Sequence, residues 1–311
     1  MHGKTEPTNG KLNLISNTQE RYSFSKPVVA AGFMVGAMTL FSTMGVFIKL
    51  SSSQLHPLEV VFFRNFLALF FLTPWIFQQR AKLFKSNRKK LYTVRAVFNV
   101  VGMAAGFTAL TLIPLAEATA LSFTAPLFAT LGAALILGEI IRQRRIIAII
   151  FGFVGVLIVL RPGVEALSPG ALLAIGNAIT IAITVLIVKK LTTTEKPITI
   201  VVYMALLQTP MALIPALFYW EWPNLITWIW LFCLAGAGTI GHLMYTKAIQ
   251  LAEVSQLQPI DFVRLPIIAV FGYIVFAEQP SIWVWIGGAV IFLSTAYVTH
   301  REATISRNQK K

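Results

Sequence analysis

Long apolar runs, each closed by polar or basic residues, constrain this chain more than any other feature. A bilayer core about 30 Å thick needs about 20 helical residues to cross it. Ten runs approach or meet that ruler: 27–50, 58–77, 91–113, 115–137, 146–160, 169–188, 197–220, 225–246, 254–277 and 281–299. They leave no room for a folded soluble domain. The runs are continuously apolar, whereas barrel strands alternate. The fifth run is the shortest, and Arg144 and Arg145 offset its shortfall by lying along the helix with their charges in the interface. The first run is longer than the core of a secretory signal and no small-residue cleavage site follows soon after it, so it reads as a retained span. Charged residues are only 12% of the chain. A soluble globular protein carries about 25%, so an ordinary soluble enzyme is excluded, and the apolar content excludes intrinsic disorder.

The net charge is +14. In a soluble chain that excess would suggest nucleic acid, but here placement decides. Of 26 Lys and Arg, 21 fall in the two tails and in every second connection between runs. The opposite side holds Lys49 and Arg161, and Arg64, Arg95 and Arg264 lie inside runs. This alternation predicts ten spans with both termini in the cytoplasm. No basic face is left for nucleic acid. Cys233, the single cysteine, cannot form an internal disulfide and is expected to be a small buried apolar residue.

The chain also repeats itself. Leu115-Ala116-Glu117 recurs as Leu251-Ala252-Glu253. Each copy leads into a run with an internal proline, a glycine six residues later and a closing glutamate: Pro126, Gly132 and Glu139, then Pro266, Gly272 and Glu278. Halving the chain gives five spans plus five. Five is odd, so the second half is expected upside down relative to the first, an arrangement that places a substrate site near the midplane where the halves meet. The predicted layout is a tail over 1–26, a first repeat over 27–160, a linker over 161–168, a second repeat over 169–300 and a tail over 301–311.

These residues resemble the drug/metabolite transporter superfamily and, within it, the EamA-like transporters. The resemblance rests on the stretch Glu59 to Asn65, on Leu115 to Pro126, on Gly138-Glu139, on Arg161-Pro162-Gly163, on Gln258 to Pro266 and on Glu278. It covers nearly all of residues 27–300. It implies an all-α membrane protein of ten helices in two inverted five-helix repeats, and secondary transport of small organic metabolites. Similar carriers move S-adenosylmethionine, riboflavin or amino-acid-derived compounds.

Polar residues inside spans mark the candidate site, because a charge there is costly and faces the bundle interior or a wet path. Gln258, Asp261 and Arg264 are spaced three apart on one face of span nine. Arg264 lies about 15 Å in, close to the midplane, between Pro259 and Pro266. It either grips an anionic substrate group with its planar fork or forms a packing ion pair with Asp261. Arg64 and Asn65 sit in span two, and Arg64 either contributes to the site or pairs structurally with Glu117. In span three Asn99 is a site candidate. Arg95, one turn inside the cytoplasmic edge, is expected to snorkel to lipid phosphate. His242 in span eight and Glu59 at the outer edge of span two are candidates for proton coupling. A satisfied structural histidine and an interfacial carboxylate are their plainer readings. Glu117 and Glu253 read as helix N-terminal charges.

The glycines of spans one, three and eight read as helix-packing faces. Tyr219, Trp220, Trp222 and Trp228 read as an interfacial aromatic belt. The sequence has no phosphate-cradling loop, metal-ligand spacing or serine elbow, so neither cofactor nor metal is expected. An integral membrane enzyme, a channel and a lipid scramblase are the competing classes. The expected partners are a small-molecule substrate and the bilayer, as monomer or homodimer, in a bacterial inner membrane.

Overall fold

The computed structural model describes residues 26–78, 86, 88–129, 131, 143–161, 168–252, 257 and 260–309. No strand occurs among them. The helices are α1 (Lys26–Ser51), α2 (Pro57–Gln78), α3 (Lys89–Leu112), α4 (Leu115–Ser122), α5 (Gln143–Leu160), α6 (Pro169–Thr192), α7 (Pro197–Ala216), α8 (Leu225–Leu251), α9 (Arg264–Phe276) and α10 (Ile282–Gln309). A 3-10 turn, Leu217–Tyr219, caps α7. Prolines open α2, α6 and α7, where a missing N–H costs nothing. Ser168 and Asn224 cap α6 and α8 by accepting from the amides of Ala171 and Thr227. By length and composition α1, α2, α3, α6, α7 and α8 can each cross a membrane, and shorter apolar helical stretches occupy Leu115–Ala129, Ile149–Leu160, Arg264–Phe276 and Ile282–Ser294.

Which helices touch reveals the plan. Exchanging α1 to α5 for α6 to α10 maps the main packing pairs onto one another. α1 packs on α8 as α6 packs on α3, α2 on α8 as α7 on α3, and α1 on α9 as α6 on α4. The pairs α2–α7, α4–α9 and α5–α10 map onto themselves. The two halves are therefore interleaved around a pseudo-two-fold axis, and most helix packing joins one half to the other. α5 and α10 meet backbone to backbone. A Cβ at Gly287 would stand 2.6 Å from the Gly155 carbonyl oxygen, and one at Gly155 would stand 2.9 Å from that of Gly287, so only glycine allows this approach. The expected packing role also holds for Gly36, Gly102, Gly106, Gly236 and Gly241, each set against a side chain of another helix, but Gly32 faces open space.

Large apolar side chains cover the outside, among them Phe66, Phe70, Val101, Leu186 and Ile274. An apolar exterior of this extent is what lipid, rather than water, covers. Cys233 belongs to it: the thiol is exposed beside the exposed Phe232, not buried as its apolar surroundings suggested. Position along an apolar run does not say which side of the helix faces the bundle.

Two spans are interrupted, and for span nine its internal prolines predict a broken helix. Span four turns at Phe123 and Thr124, and span nine turns at Phe262 and Val263 before α9 begins. The cause is the same in both. Pro126 and Pro266 have no N–H to give the carbonyls of Ser122 and Phe262, four residues back. The two breaks face each other, with the Phe123 and Phe262 rings 5.2 Å apart. Gly132, Glu139, Glu253, Gln258 and Pro259 lie outside the described residues.

Candidate functional site

Four helices, α2 and α3 from the first half and α7 and α8 from the second, bring polar groups together at the axis. Arg64 stands seven residues after Pro57, which opens α2, and Met204 seven residues after Pro197, which opens α7. Arg64 is fully buried. Its Nη1 donates to Asn65 Oδ1 at 2.9 Å, while Nε and Nη2 have no hydrogen-bond partner. The guanidinium lies against the backbone of α8, where a Cβ at Gly238 would stand 3.1 Å from both of those nitrogens. Asn65 donates to the Val61 carbonyl at 2.8 Å.

Arg95 is buried too, so it does not snorkel to lipid. Its Nη2 lies 3.4 Å from the Met204 sulfur and its Nε has no partner. The Asn65 and Asn99 amides both approach the Met103 sulfur, at 3.9 and 3.7 Å, which joins the Arg64 end of the cluster to α3. His242 is within electrostatic reach of both arginines and packs its ring edge-on to Phe41 at 5.0 Å. Gln208, one turn beyond Met204 on α7, is fully buried with neither amide atom bonded, and the buried hydroxyls of Thr239 and Thr246 on α8 have no partner.

Asp261 and Arg264 form the second part. Each acts electrostatically on the other, without a direct hydrogen bond between them. The Arg264 carbonyl accepts from Ser42 Oγ at 3.4 Å, which ties the start of α9 to α1, and its Nε is buried and unbonded. Tyr245 lies within reach of both Asp261 and Arg95 and so links the two parts. Of the residues expected from sequence, the structure gathers Arg64, Asn65, Asn99 and His242 and connects them to Asp261 and Arg264. Gln258 lies outside the described residues.

Glu59 stands apart. It is fully buried at the start of α2. One oxygen accepts from the His56 amide at 3.0 Å and the other from the Glu221 amide at 2.6 Å. Around it the α1–α2 and α7–α8 connections are stitched together. Gln54 donates to Glu221 and the Trp222 carbonyl and accepts from Asn224 and Thr227, and His56 stacks on Tyr219 at 3.8 Å. Trp220 and Trp228 belong to this dock as well as to any aromatic belt, since both pack on Phe63. On the same face Glu278 pairs with Lys49 and accepts from the Leu115 amide at 2.9 Å, joining the ends of α9 and α1 to the start of α4.

Arg95 and Gln208 are buried polar residues of these same helices that the sequence did not single out for the candidate site. The four-residue step from Arg95 to Asn99 on one helical face was the available signal. Gln208, an uncharged polar residue inside span seven, gave the same signal as Asn65 and Asn99.

The EamA-like transporter family matches residues 28–161 and 168–299, one match to each half. A riboflavin transporter of Vibrio cholerae is 37% identical over 223 residues, covering 70% of this chain and 74% of that one. An S-adenosylmethionine uptake transporter of Rickettsia bellii is 28% identical over 274 residues, covering 88% and 94%. A riboflavin transporter of Brucella anthropi is 29% identical over 288 residues, covering 88% and 99%. A solved crystal structure superposes with a TM-score of 0.61 over 87% of this chain and 98% of that one, at 17% identity, and supports the fold. Two matched repeats, an apolar exterior and a polar cluster on the axis between the halves agree, and the chain belongs to the EamA-like transporter family of multi-pass membrane proteins.

Proposed function

We propose that the protein is a secondary carrier that moves a small polar organic metabolite by alternating access, driven by protons or by exchange. Each of the ten helical segments crosses a bacterial inner membrane, the halves are inverted, and both termini are cytoplasmic. The names of the relatives make riboflavin and S-adenosylmethionine the first compounds to assay. The observation that carries the reading is the gathering of buried, incompletely bonded polar side chains from both halves at the axis that relates them. Such groups are costly in a dry interior, and a polar cargo gives them partners.

Arg264 holds the cargo, with Asp261 orienting its guanidinium and Gln258, Arg64, Asn65 and Asn99 completing the contacts. His242 is the proton carrier, since its neighbours change charge balance when cargo arrives. Glu59 already accepts a backbone N–H on each oxygen, so its part is to hold the outer connections shut. The broken helices at Phe123 and Phe262 supply the bend about which the halves rock.

Uptake of the two labelled compounds into proteoliposomes tests this. Wild type takes up one of them saturably. Arg264→Lys keeps the charge and loses the fork, so uptake falls to background while yield and unfolding temperature stay near wild type. If Arg264→Lys transports normally, and Arg264→Ala with Asp261→Ala does too, the pair is packing and Arg264 leaves the site.

A further inference from the structure

Arg64, so far only an added contact to the cargo, and Arg95, which the Arg264 grip does not use, carry a charge imbalance between them. Both guanidinium groups are buried. The charge acting on Arg64 is Arg95, of the same sign. The neighbours that act on Arg95 are the phenols of Tyr92 and Tyr245, which are neutral at physiological pH. Asn65 takes one donor of Arg64, and a thioether, a weak acceptor, faces Arg95. Nε and Nη2 of Arg64 and Nε of Arg95 are left as buried donors without acceptors. One turn along α7 from Met204, which faces Arg95, and next in sequence to Gly238, which faces Arg64, the Gln208 amide and the Thr239 hydroxyl are buried and unbonded. Four helices, two from each half, contribute these groups.

Among the described residues no carboxylate acts on either arginine; two like charges buried together in this way are destabilising, and apolar residues of similar size would pack at lower cost. Guanidinium donors in a fixed fork match a carboxylate or phosphate. We infer that Arg64 and Arg95 together bind an oxyanion, the carboxylate or phosphate of the transported metabolite, with Gln208 and Thr239 as its neutral partners. The inference rests on the reading of the protein as a metabolite carrier and narrows its cargo to acids. Gly238 is part of the site, because it lets the Arg64 fork lie flat on α8.

The test is binding, read without transport. Purified full-length protein in detergent is titrated with sodium phosphate and, separately, sodium acetate, replacing chloride at constant ionic strength and pH. The unfolding midpoint is followed, since a ligand of the folded state raises it saturably. Wild type responds to at least one anion, and the one that saturates at lower concentration distinguishes phosphate from carboxylate chemistry. Arg64→Gln and Arg95→Gln each raise the half-saturating concentration by about tenfold or more, the loss of a charged hydrogen bond. The double variant does not respond and unfolds at a higher temperature than wild type in chloride, because the unpaired cations are gone. Lys247→Gln removes a charge at the end of α8, where Lys247 bonds Gln250, and keeps the response. A non-saturating rise common to all variants, or an undiminished response in the double variant, overturns the oxyanion site. No anion response alongside uptake of an uncharged compound also overturns it, while leaving the carrier reading intact.

Discussion

Single residues are defined here by what they are bonded to rather than by where they fall in the sequence. Glu59 and Arg64 sit five positions apart on one helix and are both fully buried. Glu59 has a hydrogen-bond donor on each oxygen, whereas Arg64 keeps two nitrogens without an acceptor. The first is therefore a fastening and the second an open valence. Glu59→Gln turns one accepting oxygen into a donor that faces a backbone N–H. The expected cost is about 1–3 kcal/mol of stability, read by thermal unfolding, with substrate affinity nearly unchanged. A large loss of affinity at full stability would instead move Glu59 into the transport path. Charges inside apolar runs stand out in the sequence, and of the candidates drawn from it Arg64, Asn65, Asn99 and His242 do converge. It misplaced Arg95 because depth from the membrane edge says nothing of which way a side chain points. One turn in from an edge, an arginine can reach outward to lipid or inward to the bundle, and tertiary packing against Met204 decides.

At the scale of the element, proline does most of the shaping. At the head of α2, α6 and α7 it is harmless, inside α2 and α7 Pro74, Pro210 and Pro215 are accommodated, and at Pro126 and Pro266 it removes the N–H that would continue the helix past the turn. The apolar runs read correctly as helices because composition and length suffice for that. The internal prolines marked span nine as broken, but where spans four and nine turn did not follow from the same data, since a helix can also bend around proline when neighbours satisfy the freed carbonyls. Here two turns result, and their phenylalanines pack on each other. Pro266→Ala returns an N–H donor to the Phe262 carbonyl and favours a continuous helix. The returned N–H is offset by the greater freedom of the unfolded chain without the proline ring, so thermal unfolding should show stability within about 1 kcal/mol of wild type, while the transport rate falls severalfold because the bend is lost. Unchanged transport would mean that the break has no part in the cycle.

Across the whole molecule the pattern of packing matters more than any helix. The repeated tripeptide and the paired prolines foretold two related halves, and the exchange symmetry of the contacts bears this out. Their interleaving was not legible, because nothing in a hydrophobic pattern states which helix covers which. It matters for mechanism: when α1 packs on α8 and α6 on α3, one half cannot move without changing the surface it presents to the other. On one face, Glu59, Gln54 and the Glu278–Lys49 pair already join the halves. The central claim is that this body opens to one side of the membrane at a time around a bound metabolite. Counter-flow tests it most directly: proteoliposomes preloaded with unlabelled substrate are diluted into a trace of labelled substrate, with no ion gradient. An alternating carrier accumulates label transiently above its equilibrium level, and the overshoot disappears when the vesicles are empty. Label that only equilibrates, at a rate indifferent to internal substrate, would describe a channel and contradict the account.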